Sequence, residues 1–491
     1  MKKILVSLLF LNLLFNLFSY SILEDIDGNY VGNVDSRSAS LGNTGVAGGD
    51  RLFDVTLNPA NLSFLKADIG AQFVFLATKD DDNRSIPMYN FFDGYVDNGT
   101  YVSNVNIYDE MALGGYYKYN MSDLGFSAGL FYKPYINFES DYEEQVRNDE
   151  NSDDDNYPPI IAKNFLTGEG SINSLEINFA LSYLENYSLG FVLSKLSGDQ
   201  ELTKNIVWTD MGYYNFAPDD PNDPYETLKD YYSYLDREFE AIQIGLGTVA
   251  KINERLKLGL TYKPSIKFDV TGDWKVRSDT LVNENTWALN FETYDIEDIV
   301  YCYEGDLVVT DSSATFTVTD STMLADFKTP TRIKFGLFYQ PQNIMLTKFY
   351  IDVEYVKWED VNSFYENEFN YYVGVEHQVN NKIPFRFGFK YETNYYLTHR
   401  FIDLYSISFA DKITMPTFTI GTGFTFLNNL IFDISAEIGH RRYETLDLFM
   451  DSYYSHHSLW STIEPKDRGW ENPDTVEETL LKIKAGLSFN W

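Results

Sequence analysis

From Leu481 to the C-terminus, apolar and polar residues take turns. Leu481, Ile483, Ala485, Leu487, Phe489 and Trp491 alternate with Lys482, Lys484, Gly486, Ser488 and Asn490. A two-residue period puts one set of side chains on each face of a β-strand. One face is apolar and the other polar, which suits a half-buried strand of a soluble sheet or a lipid-facing strand of a membrane barrel. The same alternation returns at 69–77, 124–132, 175–181, 242–246, 256–262, 333–339, 385–391 and 432–438. Counted with weaker segments, the pattern predicts about fourteen strands. They fall near 67–78, 111–119, 124–138, 173–184, 188–200, 238–251, 255–270, 329–340, 346–358, 368–378, 383–393, 413–426, 430–442 and 480–491.

The connections separate the two architectures. Segments 120–123, 185–187, 252–254, 341–345, 379–382 and 427–429 are short and built of turn-forming residues. Between them lie long polar stretches at 79–110, 139–172, 201–237, 271–328, 359–367, 394–412 and 443–479. Short turns on one rim and long loops on the other are the plan of an outer-membrane barrel. A soluble sandwich has no reason to sort its connections this way. The fold class expected is therefore all-β, a transmembrane antiparallel β-barrel.

A short motif recurs in the strands: Gly129-Leu-Phe-Tyr132-Lys133-Pro134, Gly259-Leu-Thr-Tyr262-Lys263-Pro264 and Gly336-Leu-Phe-Tyr339-Gln340-Pro341, with a shortened copy at Gly388–Tyr391. The alternation sets each glycine on the lumen side, where a missing side chain leaves room for whatever fills the barrel. Each tyrosine lies on the apolar side, where amphipathic rings suit a membrane interface.

Both ends carry further signals. Lys2 and Lys3 precede an apolar run from Ile4 to Phe18, followed by Ser19-Tyr20-Ser21. That is the layout of a secretory signal peptide over residues 1–21, with cleavage near Ser21. Residues 36–66 lack sustained alternation and are too Gly-rich for a stable helix; 22–66 form a separate segment ahead of a barrel at 67–491. The aromatic end, Phe489 and Trp491, reads as the insertion signal that barrel-assembly machinery recognises by adding the last strand to its own edge.

Composition narrows the function. The formal charge is −35, which disfavours nucleic-acid binding, since phosphate neutralisation needs a basic face. The chain is 17% aromatic, which argues against disorder. Beyond the leader no apolar run approaches the ~20 residues of a membrane helix. One cysteine, Cys302, gives neither an internal disulfide nor a structural zinc site. No H-E-x-x-H, G-x-S-x-G or phosphate-loop pattern occurs, so neither an enzyme nor a cofactor or metal is expected. The dense carboxylates of 143–155 and 218–225, and the pair His456-His457, read as solvated loop surface. Among lumen-facing charges, Arg332, Arg386 and Lys263 are candidates to hold a carboxylate ligand beside an apolar pocket. The bland reading for each is an ion-pair network joining wall and N-terminal segment, which the mixed signs of the lumen charges favour.

Residues 38–60 carry a resemblance. Ser38 to Gly42, the Gly/Ala/Asp-rich run from Gly45 to Asp50, and Asn58-Pro59-Ala60 just before the first strand resemble the FadL family of outer-membrane transport proteins, including its TodX-type hydrocarbon channels. Residues 330–341 running into Asp352, Glu354 and Trp358, and Pro384–Gly388, are also similar. The resemblance implies a fourteen-stranded barrel whose N-terminal segment closes the lumen as a hatch, with Asn58, Pro59, Ala60, Gly42 and Gly45 as hatch elements. It further implies passage of a hydrophobic small molecule, such as a long-chain fatty acid, in some members sideways through the wall. Outer-membrane lipid and lipopolysaccharide would surround the barrel. Two alternatives stay open: a PorV-like barrel serving as a binding or shuttle component of a secretion system, and a general porin.

Overall fold

The computed structural model describes residues 28–90, 95–147, 160–209, 231–283, 286–295, 302–310, 313–318, 327–342, 346–361, 365–380, 383–403, 406–426, 429–445, 463–465 and 474–491. The leader at 1–21, most of the two acidic stretches, and His456 and His457 lie outside these residues.

Fourteen strands form the wall: β1 Ile69–Asn90, β2 Tyr95–Met121, β3 Leu124–Asn137, β4 Ile160–Tyr183, β5 Tyr187–Trp208, β6 Tyr231–Asn253 and β7 Leu256–Lys263. They continue with β8 Thr331–Tyr339, β9 Thr347–Lys357, β10 Glu368–Asn380, β11 Ile383–Asp403, β12 Ser406–Phe426, β13 Leu430–Thr445 and β14 Asp474–Asn490. Each pairs antiparallel with its neighbours in chain order. The ring closes where β1 meets β14, from Gly70 opposite Asn490 to Ser85 opposite Thr475. Closure removes the edge strands that an open sheet would expose.

The predicted faces are realised. On β3, Leu124, Phe126, Leu130 and Tyr132 are exposed while Gly125, Ser127, Gly129, Phe131 and Lys133 are buried. On β4, Leu175, Ile177, Phe179 and Leu181 point outward and Ser174, Glu176, Asn178 and Ala180 inward. An apolar exterior around a polar interior is the inverse of a soluble protein and belongs in hydrocarbon.

The structure departs from the sequence pattern in two ways. Most of the segments expected as loops are strand. β1 and β2 pair across most of 79–110, and β4, β5, β6, β11 and β12 likewise run far into 139–172, 201–237 and 394–412. Above the bilayer both faces of a strand meet water or polar lumen, so the apolar alternation vanishes while the backbone ladder continues. The segment expected as one strand over 255–270 is also broken. β7 stops at Lys263, Ile266–Lys267 pairs with Lys328–Thr329, and Asp269–Asn283 pairs with the outer half of β6. Pro264 has no N–H to give the ladder, and the chain bends into the lumen there.

Candidate functional site

Residues 28–66 lie among the inward-facing side chains and are almost entirely buried. Short polar residues build their turns. Asp35 caps a helical turn at Ser36–Ala39 by accepting from the Ser38 amide (2.9 Å). Asn58 caps the 3₁₀ turn Pro59–Phe64 by accepting from the Ala60 amide (3.0 Å), and its own NH₂ donates to the Val46 and Thr248 carbonyls (2.8 and 3.1 Å). Pro59 fits the first position of that turn, where no N–H is needed.

The wall accommodates this segment through glycines. A Cβ on Gly190 would collide with Pro59 and Ala60, and one on Gly247 with Asn58 and Pro59. Gly259 and Gly336 lie against Val46 and Ala47, Gly374 against Leu41, and Gly388 against Leu41 and Gly42. Three of the four motif glycines therefore do make room for the lumen filling; the fourth, Gly129, faces the Phe131 ring. Gly42, with φ of +69°, presses close to the backbone of Val373 and Phe389.

Polar contacts from the wall complete the seat. The Gly45 and Val46 amides donate to Asp352 (2.9 and 3.1 Å), Lys334 donates to the Asn43 carbonyl (3.1 Å) and Lys484 to that of Asn33 (2.7 Å). Gln72 bonds both the Phe53 amide and Asp35. At the centre sits Arg37, 1% exposed, paired with Asp50 (2.9 Å), Asp54 (3.4 Å) and Glu376 (3.2 Å), and donating to the Tyr350 hydroxyl (2.8 Å). Arg51 reaches Asp433 at 2.6 Å. Burial pushes Asp50 up, but Arg37 and Arg51 outweigh it and hold its carboxyl well below the usual range. Burial, reinforced by the Asp35 carboxylate, pushes Asp54 up to about 7. Sequence reasoning missed this cluster, because its members are scattered over 37–433 and share no motif.

Against this segment lies a cavity of about 260 Å³. Tyr30, Tyr135, Ile136, Phe327, Val356 and Trp358 supply apolar lining, and Lys133, Lys263, Arg332 and Lys390 supply cationic lining. Two of the three predicted ligand residues are thus brought together. Lys263 donates to the Thr56 carbonyl (3.4 Å). Arg332 pairs with Glu354 (3.3 Å) and stacks over the Tyr30 ring at 4.3 Å. Arg386 is elsewhere, 1% exposed and pinned between Glu376 (2.8 Å) and Asp433 (2.7 Å). Both partners belong to the ion-pair network around Arg37 and Arg51.

Beside the cavity, aromatic rings converge where two wall strands turn inward. Phe138 stacks on Phe239 at 5.4 Å, and Phe327 packs on Phe239 (4.9 Å) and Phe268 (5.2 Å). Phe138 follows Pro134 and Phe268 follows Pro264, so both Lys-Pro copies of the repeated motif mark a bend into the lumen. Each bend interrupts the wall. The β2–β3 ladder runs only from Met121 opposite Leu124 to Leu113 opposite Tyr132. Beyond it, side chains bridge the seam: Tyr108 donates to the Glu139 carbonyl (3.1 Å), Asn106 to that of Asp141 (3.0 Å) and Asn137 to Glu110 (3.0 Å). The ladder on the far side of β6 skips Ala241–Gly245, resuming at Leu246 opposite Tyr262.

At the C-terminus, Phe489 and Trp491 stack at 6.1 Å on the outer face, and the Trp491 amide donates to the Ile69 carbonyl (2.8 Å), joining last strand to first. Among the described residues no cluster of His, Cys, Asp or Glu is arranged to hold a metal ion.

No protein-family model and no curated protein matches the chain. Solved barrels do. A FadL homologue of Pseudomonas aeruginosa superposes with a TM-score of 0.55 at 11% identity, over 94% of this chain and 99% of that one. The P. putida toluene transporter TodX gives 0.54 at 12% identity, over 95% and 99%. A deltaS2 mutant of the TodX monoaromatic hydrocarbon channel gives 0.55 at 13%, over 95% and 100%. At such identities the likeness is one of fold: a closed fourteen-stranded barrel.

Proposed function

We infer that this protein is an outer-membrane channel that takes up hydrophobic small molecules, not an enzyme. The observation that carries the reading is the cavity: part aromatic, part cationic, inside a barrel of the same fold as transporters of hydrophobic compounds. An apolar pocket with a few placed polar groups is the ordinary form of a small-molecule site. Lys263 and Arg332 favour a ligand with an anionic head and an apolar body, of which a long-chain fatty acid is one example. Residues 28–66 act as the hatch, keeping the lumen closed to water-soluble solutes while ligand occupies the cavity. A general porin needs an aqueous lumen, and the packing of residues 28–66 against the wall speaks against one.

The test is uptake of [14C]dodecanoate by cells that lack their own carrier for it. Expression should raise the rate, and Lys263→Gln should raise the half-saturating concentration several-fold with little change for [14C]toluene. Planar bilayers should show little conductance. Porin-like conductance without uptake of either compound would overturn the reading.

A further inference from the structure

We propose that the cavity is built for an amphiphile whose head is a phosphomonoester, with two negative charges spread over three oxygens, in preference to a carboxylate. The inference rests on the uptake reading above and names the head group of its ligand.

The first observation is a point where three cations meet. Lys263 and Arg332 stand directly opposite each other in the β7–β8 register, and both line the cavity. Like charges so placed have Cβ atoms about 5 Å apart and repel. Lys133 arrives from β3, which neighbours neither strand. The three enclose Tyr30. Arg332 lies over its ring at 4.3 Å, and Lys133 lies over the ring of Tyr135 (5.6 Å), which meets Tyr30 edge-on at 5.3 Å. Burial pushes the Tyr30 hydroxyl up, but Lys263, Arg332 and Lys133 outweigh it and hold it below its ordinary value. Negative charge is favoured at this spot before any ligand arrives.

The second observation is how little of the cations' bonding capacity is spent. A guanidinium has five N–H donors. Of the Arg332 nitrogens only Nη1 is bonded among the described residues, to Glu354 at 3.3 Å, and Glu354 also accepts from the Tyr372 hydroxyl (2.8 Å). Lys133 has Glu176 at 3.4 Å, and Lys263 has the Thr56 carbonyl at 3.4 Å. Around the whole cavity nine lysine and arginine side chains face two carboxylates, Glu354 and Glu392. A carboxylate ligand brings one charge and two oxygens, which a single arginine fork satisfies. A phosphomonoester brings close to two charges and three strong acceptor oxygens, one for each of the three cations.

The third observation separates an organic phosphate from the free ion. Tyr135, Ile136, Phe327, Val356 and Trp358 share the lining with the cations, and the Trp358 ring lies 5.7 Å from the Arg332 guanidinium. Inorganic phosphate would leave this apolar surface wet. An alkyl or aryl body joined to the head covers it, and apolar burial then adds to charge pairing.

The experiment titrates the purified full-length barrel, in a nonionic detergent at pH 8, with octyl phosphate, octyl sulfate, octanoate and inorganic phosphate, and reads binding by calorimetry. The sulfate has three terminal oxygens but one charge, so it separates charge from shape. Octyl phosphate should bind at least tenfold tighter than octyl sulfate or octanoate, and at least a hundredfold tighter than inorganic phosphate. Lys133→Gln combined with Glu176→Gln removes one cation together with its partner, leaving no buried charge unpaired. That variant should bind octyl phosphate about tenfold more weakly and octanoate within twofold of the parent. Octyl sulfate, octanoate or inorganic phosphate bound as tightly as octyl phosphate overturns the assignment and leaves the uptake reading standing, as does a double variant that binds octyl phosphate like the parent. A parent that binds none of the octyl compounds overturns the assignment. If cells expressing it also take up neither [14C]dodecanoate nor [14C]toluene, the uptake reading falls with it.

Discussion

Arg37→Met is the sharpest perturbation of the lumen filling. The substitution keeps the bulk of a buried side chain and removes its charge from contact with three carboxylates. Breaking a buried ion pair by deleting one partner costs about 3–5 kcal/mol, because the other charge stays buried and uncompensated. The three acids do not share that cost equally. Glu376 keeps Lys348 at 2.6 Å and Arg386 at 2.8 Å. Asp50, the least buried, keeps Arg51 at 3.2 Å. Asp54 keeps only amide donors among the bonds described here, those of Asp50 and Arg51, both at 2.9 Å. The penalty therefore falls at the low end, about 3 kcal/mol, slightly over a hundredfold in the equilibrium between seated and displaced segment. Hydrogen–deuterium exchange across residues 36–54 reads this directly and should accelerate by about that factor, while the amides of β1 and β14 keep their protection. Planar-bilayer recordings should show transient openings absent from the parent. Unchanged exchange in 36–54 would refute the claim that Arg37 is the pin.

Two further outcomes follow from the same packing. Asp54, raised from 3.8 to about 7, binds a proton more tightly in the seated segment than in a displaced one; seating therefore weakens as pH rises from about 4 through about 7, and the weakening is complete above that. Exchange in 36–54 should be slower at pH 5 than at pH 8, and Asp54→Asn should flatten the difference; a pH-independent parent would contradict the assignment. Gly388→Val puts methyls into the backbone of Leu41 and Gly42, which cannot swing aside as a side chain can; overpacking of about 1–3 kcal/mol or more should appear as trypsin cleavage after Arg37 in the folded barrel, whereas Gly115→Val, whose site is more open, should stay resistant.

Much of the wall was legible in the chain because lipid on one side and water on the other force alternation. Leu124–Tyr132 and Leu481–Trp491 could hardly be read otherwise. The lumen glycines were legible for the same reason, as gaps on a known face. The outer halves of the strands were not. Residues such as Asp80, Asp82 and Arg84 are strand, but every face there is polar and the period carries no contrast. The bends were half visible: Pro134 and Pro264 stood in a repeated motif, yet only the ladders show that β3 parts from β2 just before Pro134 while keeping β4, and that β7 ends at Lys263. The cavity residues Lys263 and Arg332 were found from charge on an inward face, and that rule chose Arg386 as well. Charge alone does not distinguish a cation facing a cavity from one locked between Glu376 and Asp433.

The length of the strands has its own consequence. The 27 residues of β2 extend about 90 Å, and a barrel tilt of roughly 40° leaves about 70 Å of height, against an apolar band of about 25 Å. That side of the tube thus stands well clear of the lipid, whereas β8 and β9, of 9 and 11 residues, reach little beyond the apolar band. A greasy solute arriving along the tall side would cross the hydrated coat of the cell in a half-walled shaft, and would meet oil only at the foot. The rim of that shaft, free of any duty to match a bilayer, can change its residues to suit what the cell meets outside while the base stays as it is.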